Sequence, residues 1–149
     1  MKKNILMSFV LMLSLTGSAF AYDYGNNESK RVDGATNFTY SEALKETIEI
    51  VASLNHYPSD AQKQALAEHI ESMDSSVNGV ALAETMAIVQ RVEHFPSDSD
   101  KAKLKKLGAM LEENAGDENL RSLMEIVSNI AHKVSSEDAA KLDTILSEL

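Results

Sequence analysis

The sequence repeats itself three times at a spacing of 38 residues, without a gap. The columns that recur in all three copies are Leu44, Leu82 and Leu120; Ile50, Ile88 and Ile126; Val51, Val89 and Val127; His56, His94 and His132; Ser59, Ser97 and Ser135; and Leu66, Leu104 and Leu142. Over residues 43–73 the first two copies are identical at 12 of 31 positions. A period of this length indicates an array of small supersecondary units, none of which can bury its apolar face alone.

Each copy has the pattern of a helical hairpin. In the first copy, apolar residues at helical spacing mark two faces: Leu44, Ile48, Val51 and Leu54, then Leu66, Ile70 and Met73. Tyr57-Pro58 separates them, because the residue before proline avoids the helical region. We therefore predict an all-α fold of six helices in three repeats, 39–76, 77–114 and 115–149.

Polar residues at the predicted helix starts have the spacing of capping residues. Ser59, Ser97 and Ser135 are each followed three residues later by Gln or Asp, and Thr39 is followed in the same way by Glu42. A loop is predicted over 74–79, and Gly116 is predicted to end the fourth helix in a left-handed conformation.

Two packings of the hairpins are open, a short curved solenoid or a compact bundle. The period resembles that of helical-hairpin solenoids in general, although the Trp, Leu-Gly and Tyr pattern of tetratricopeptide repeats is missing. In the third copy Val134 replaces Pro58 and Pro96, and Lys133 replaces an aromatic residue. Because terminal repeats differ where one face meets water, we interpret the third copy as a C-terminal cap.

The N-terminus has the pattern of a signal peptide over residues 1–21. Lys2 and Lys3 precede an apolar stretch, and Ala19-Phe20-Ala21 fits a cleavage site. This predicts a periplasmic or secreted protein with no membrane insertion after cleavage; an uncleaved anchor is the alternative. Residues 22–38, rich in Asn, Gly, Ser and Asp, are predicted to be a flexible segment.

Composition limits the classes of partner. The 149 residues carry a formal net charge of −9, which disfavours nucleic acid and favours cations. There is no cysteine, so the fold cannot depend on disulfides. The one basic cluster, Lys101 to Lys106, is predicted to be a solvated helix surface, and Met86 and Met124 are predicted to fill the core.

His56, His94 and His132 are the candidate site residues with the most specific pattern. They can form a metal site or a pH switch, or they can cap helix ends through the last free carbonyls. In a linear solenoid neighbouring helices lie about 8–10 Å apart, too far for equivalent residues to share one ion. Only a closed three-fold arrangement would bring them together, so helix capping is the expectation and no metal ligand is assigned. His69 is expected to be a packed or surface residue.

Tyr57 and Phe95 follow two of these histidines. They are expected to pack one hairpin corner against the next; the alternative is an exposed anchor for a partner. The pattern lacks a Gly-x-Ser-x-Gly elbow, a His-Glu-x-x-His helix, a phosphate loop and a cysteine nucleophile, so no catalytic residue, cofactor or enzymatic activity is predicted.

We predict an exported helical repeat module that binds an envelope protein or peptide. The candidate partner surface consists of His56, Tyr57, His94, Phe95 and His132. The alternative is a small acidic envelope-stress or metal-buffering protein that uses the histidine column. A self-associating structural module is the third possibility.

Overall fold

The computed structural model describes residues 38–149, which form six helices and no β-strand. The helices are α1 (Tyr40–Ser53), α2 (Asp60–Ser72), α3 (Val77–Arg91), α4 (Asp98–Glu113), α5 (Glu118–Asn129) and α6 (Ser136–Glu148). The all-α prediction is confirmed. The predicted signal peptide and almost all of the predicted flexible segment lie outside the described residues. In the described part, no helix is long and apolar enough to cross a membrane.

The predicted caps start four of the helices. Thr39 and Ser59 form reciprocal capping boxes with Glu42 and Gln62, in which each side chain satisfies a free backbone N–H of the other residue. The Ser97 and Ser135 hydroxyls each accept from the backbone N–H three residues later, at 3.1 Å in both cases. The same local device therefore begins the second helix of every hairpin.

The hairpins close into a compact bundle. The first helices of the three hairpins, α1, α3 and α5, all contact one another. Each second helix packs against its own hairpin partner and against the first helix of another hairpin: α2 on α3, α4 on α5, and α6 on α1. Because α6 returns to α1, the third copy has no open end to protect, and its interpretation as a terminal cap is wrong.

The predicted apolar columns form the core. The equivalent residues Leu44, Leu82 and Leu120 are fully buried, and so are the main residues of the second-helix stripes, Leu66 and Leu104. Met86 and Met124 are also buried, as predicted for core filler. Three first helices thus contribute one apolar column each to a shared interior, which none of the hairpins could enclose alone.

Side-chain hydrogen bonds tie the hairpins together at one end of the bundle. The Tyr40 hydroxyl donates to Asp117 Oδ2 at 2.9 Å, and the Asp117 backbone N–H donates to Asn78 Oδ1 at 3.0 Å. Burial, with the hydrogen bond to Asp117, raises the pKa of Tyr40 well above its usual value. The tyrosine therefore stays a neutral donor, and it joins the start of α1 to the start of α5.

Two predicted details of the connections are wrong. The loop predicted over 74–79 is shorter, because Ser76 caps α3 and the helix includes Gly79. The left-handed residue after α4 is Ala115, with φ 50°, instead of Gly116. Glycine is required at 116 for space, since a Cβ there would lie 2.5 Å from Leu111 Cδ2 and 2.9 Å from Asn78 Oδ1.

Candidate metal centre

The closed bundle brings the three repeat histidines together. One ring nitrogen from each of His56, His94 and His132 lies within 4.8 Å of the other two. The ring centroids are 5.0 to 5.2 Å apart, and the rings meet edge to face. All three side chains are exposed. We expected the histidines to be too far apart to share an ion because we assumed an open array. The hairpins form a closed bundle instead, so this distance argument does not apply.

A ring of backbone hydrogen bonds joins the three histidines. The N–H of His56 donates to the carbonyl of His132 at 2.6 Å, that of His94 to His56 at 2.7 Å, and that of His132 to His94 at 2.5 Å. Each bond connects the corner of one hairpin to the corner of another. The ring therefore fixes the Cα positions of the three residues relative to one another, independently of their side chains.

The histidines reach this ring through an unusual backbone conformation. Their φ angles are 78°, 69° and 65° for His56, His94 and His132, in the left-handed region. For a residue with a Cβ this conformation costs roughly 1–2 kcal/mol, a cost that glycine avoids and asparagine reduces. Backbone strain of this kind clusters at functional sites. The turn alone does not explain why an imidazole stands at all three positions.

The predicted capping role is wrong. The first helices end at Ser53, Arg91 and Asn129, and each histidine lies beyond the C-cap residue. Within residues 38–149, the hydrogen bonds of these imidazoles go to each other and to Asn55 instead of to helix carbonyls. Lys133 also lies past the end of α5, in the corner itself.

The orientation of the rings suits metal binding. Nδ1 of His94 and Nδ1 of His132 lie 3.1 Å apart. The Nδ1–H of His56 donates to Asn55 Oδ1 at 2.9 Å, which leaves Nε2 of His56 with a free lone pair. Three nitrogens bound to one Zn²⁺ lie about 3.3 Å from one another, given a Zn–N distance of about 2.0–2.1 Å and tetrahedral angles. The nitrogens of the three rings lie within 4.8 Å of one another, so all three exposed side chains would have to rotate toward a shared ion.

The chemistry of this donor set points to late transition metals. Neutral imidazole suits Zn²⁺, Cu²⁺ and Ni²⁺, whereas Ca²⁺ and Mg²⁺ require oxygen ligands. Asn55 accepts a hydrogen bond from the His56 ring, as an outer ligand partner does in many metal sites. Sequence reasoning missed Asn55, because Glu93 and Ala131 occupy its position in the other copies and the repeat gives no signal there.

Tyr57 and Phe95 do not pack as expected. Their side chains are 61% and 60% exposed, so the interpretation as corner plugs is wrong. The two aromatic groups, each next in sequence to a histidine of the cluster, lie at the surface. The third equivalent residue, Lys133, is exposed as well. The closed backbone ring already joins the corners, which leaves these side chains free of a packing role.

The other candidate residues have structural surroundings. His69 is 1% exposed; its Nε2 pairs with Glu46 Oε2 at 2.5 Å and its ring packs against Phe38, as expected for a packed residue. In the lysine cluster Lys103, Lys105 and Lys106 are exposed, and Lys103 pairs with Glu84. This agrees with the predicted solvated surface.

A cleft of about 680 Å³ lies between α4 and α5. It opens at Gly108, where the other copies have Ile70 and Leu146, and no atom lies within 4 Å of a Cβ placed there. Three cationic side chains and three carboxylates line it together: Lys101, Lys105 and Arg121, with Glu112, Glu118 and Glu125. This balanced charge selects no class of ligand, so the histidines remain the best-defined site.

No protein family matches the chain, and no curated protein or solved structure is significantly similar to it.

Proposed function

We propose that this protein binds a late transition-metal ion, with Zn²⁺ as the reference ion, through His56, His94 and His132. The observation that supports this most is that three exposed histidines, all with positive φ angles, are joined by one ring of backbone hydrogen bonds. One strained histidine has many explanations. Three whose ring nitrogens lie within 4.8 Å of one another combine the conformational cost with the donor type and number of a metal site.

The electrostatics of the chain favour a cation. The formal net charge is −9 when the histidines are neutral, so a divalent cation is attracted toward the surface over about a Debye length. The exposed position of the three rings gives an ion direct access from solvent. Together with the predicted export signal, these features support a metal-binding role outside the cytoplasm, as in a metal-buffering protein. It is a binding function, and no catalytic step is proposed.

The affinity for Zn²⁺ tests this proposal. We expect His94→Asn to weaken Zn²⁺ binding at least about 100-fold, more than the loss of an outer ligand partner causes, because one of three ligands is removed. Asparagine tolerates the left-handed conformation, so the corner is retained. Competition against a chromophoric chelator measures the dissociation constant, and millimolar Mg²⁺ is expected to leave it unchanged.

Glu93→Gln is the matched control for this measurement. It removes an exposed carboxylate beside His94 without touching an imidazole, and we expect the dissociation constant to change by less than about threefold. If His94→Asn binds Zn²⁺ as tightly as the parent chain, the ion lies elsewhere, for example on surface carboxylates, and the proposal is wrong.

A second candidate function rests on the two exposed aromatic side chains. Tyr57 and Phe95 are large apolar groups at one surface, and such residues often anchor a protein partner. Under this proposal the surface binds an envelope protein or peptide. We expect in-cell crosslinking of the tagged protein to capture one dominant partner, which is lost in Tyr57→Ala/Phe95→Ala but retained in Lys105→Gln/Lys106→Gln. Capture that is equal in both variants would contradict it.

A further inference from the structure

The three-histidine site, if it holds a metal as proposed above, leaves part of the coordination sphere to a ligand from outside the described residues. No carboxylate of residues 38–149 joins the three imidazoles in the cluster. A tetrahedral ion therefore has one position left, as in zinc sites with three protein ligands and one exchangeable ligand. Because all three rings are exposed, this position is open to solvent.

The charge at the site selects an anionic donor. Three neutral imidazoles leave the full 2+ charge of the ion uncompensated. Lys133, next in sequence to His132, adds an exposed cation, while Glu93, next to His94, is the opposing exposed carboxylate. The remaining charges of the acidic chain are screened beyond about 8–10 Å, so the ion and its immediate neighbours dominate.

The surroundings add an apolar requirement. Tyr57 and Phe95, each next to a histidine of the cluster, have more than half of their side chains exposed. A ligand whose body covers these rings removes apolar surface from water, which is favourable. A bound ion would thus have one open position, and an exposed cation and two exposed aromatic side chains stand next in sequence to its three ligands.

We propose that the metal-loaded site binds a carboxylate carried on an apolar or aromatic group. The carboxylate oxygen takes the open metal position, with Lys133 beside it, and the apolar body lies on Tyr57 and Phe95. The carboxylate is supplied by a free small acid or by the C-terminus of a peptide with an apolar last residue. The proposal depends on the proposed metal-binding function and adds the chemical class of the second ligand.

Calorimetry on the Zn²⁺-loaded chain tests it, with 3-phenylpropionate as the probe. Two matched compounds separate the requirements: 3-phenylpropanol lacks the carboxylate and acetate lacks the aromatic group. We expect 3-phenylpropionate to bind at least about tenfold more tightly than either compound, and binding to disappear in the metal-free chain. A C-terminal Gly-Phe peptide and its amide, in a second arm, distinguish a peptide source from a free acid.

Surface variants then locate the ligand. Lys133→Gln is expected to lower the affinity for 3-phenylpropionate about threefold to tenfold, and Glu93→Gln is expected to raise it. The double variant Tyr57→Ala/Phe95→Ala should reduce this affinity to that of acetate. Zn²⁺ loading is measured first in the same samples, so the two proposals fail separately. A chain that loads Zn²⁺ but binds the acid and the alcohol equally overturns the carboxylate site alone. A chain that does not load Zn²⁺ overturns both.

Discussion

Zn²⁺ at about 100 times its dissociation constant is expected to raise the free energy of unfolding of the parent chain by about 2.7 kcal/mol. The reason is linkage: the ligand set exists only when the three hairpin corners are closed, so the ion binds the folded state and stabilises it. Urea unfolding with and without Zn²⁺ measures the difference. The gain is expected to shrink at acid pH, where protons compete with the metal for the imidazoles.

The triple variant His56→Asn/His94→Asn/His132→Asn gives this experiment a specific control. It keeps a residue that tolerates positive φ at each corner, and the backbone ring needs no side chain. We expect it to be at least as stable as the parent chain without Zn²⁺ and to gain nothing from the ion. A clear loss of stability in the metal-free variant would instead assign the imidazoles a structural role.

Truncation of the central leucine column is expected to have the second large effect. Leu82 and Leu120 are both 0% exposed and belong to the hydrophobic core, on two of the three first helices that contact one another. Leu82→Ala and Leu120→Ala are each expected to lower the free energy of unfolding by roughly 2–4 kcal/mol, because each removes buried apolar atoms and leaves a cavity.

Val80→Ala is the matched control for the leucine variants. Val80 lies on the same helix as Leu82 but is 43% exposed, so its truncation is expected to change stability by less than about 0.5 kcal/mol. Urea unfolding measures all three. A loss below half a kcal/mol at Leu82 or Leu120 would contradict the assignment of this column to the core.

The helices could be predicted because their signals are local. The serine caps and the apolar spacing are properties of single hairpins that recur every 38 residues, and Ser97 and Leu82 have the structural roles that their positions predict. The boundary errors have local physical causes. Gly79 fits inside the first turn of α3, and Gly116 is required for packing instead of for its backbone freedom.

The site could not be predicted in the same way, because it depends on how the hairpins close. The sequence shows that three histidines are equivalent, but a linear array separates them and a ring brings them together. The contact between α6 and α1 decides between these arrangements, and it joins residues about a hundred positions apart in the chain. The exposure of Tyr57 and Phe95 follows from the same closure, since the backbone ring joins the corners without them.

X-ray absorption at the zinc edge of the chain loaded with one equivalent of Zn²⁺ tests the central claim most directly. We expect three imidazole nitrogens at about 2.0–2.1 Å, with the outer-shell scattering typical of histidine rings, and one oxygen ligand in the remaining position. The triple asparagine variant should lose the imidazole signal. A spectrum with only oxygen ligands, or one unchanged in that variant, would contradict the assignment of His56, His94 and His132 as the metal site.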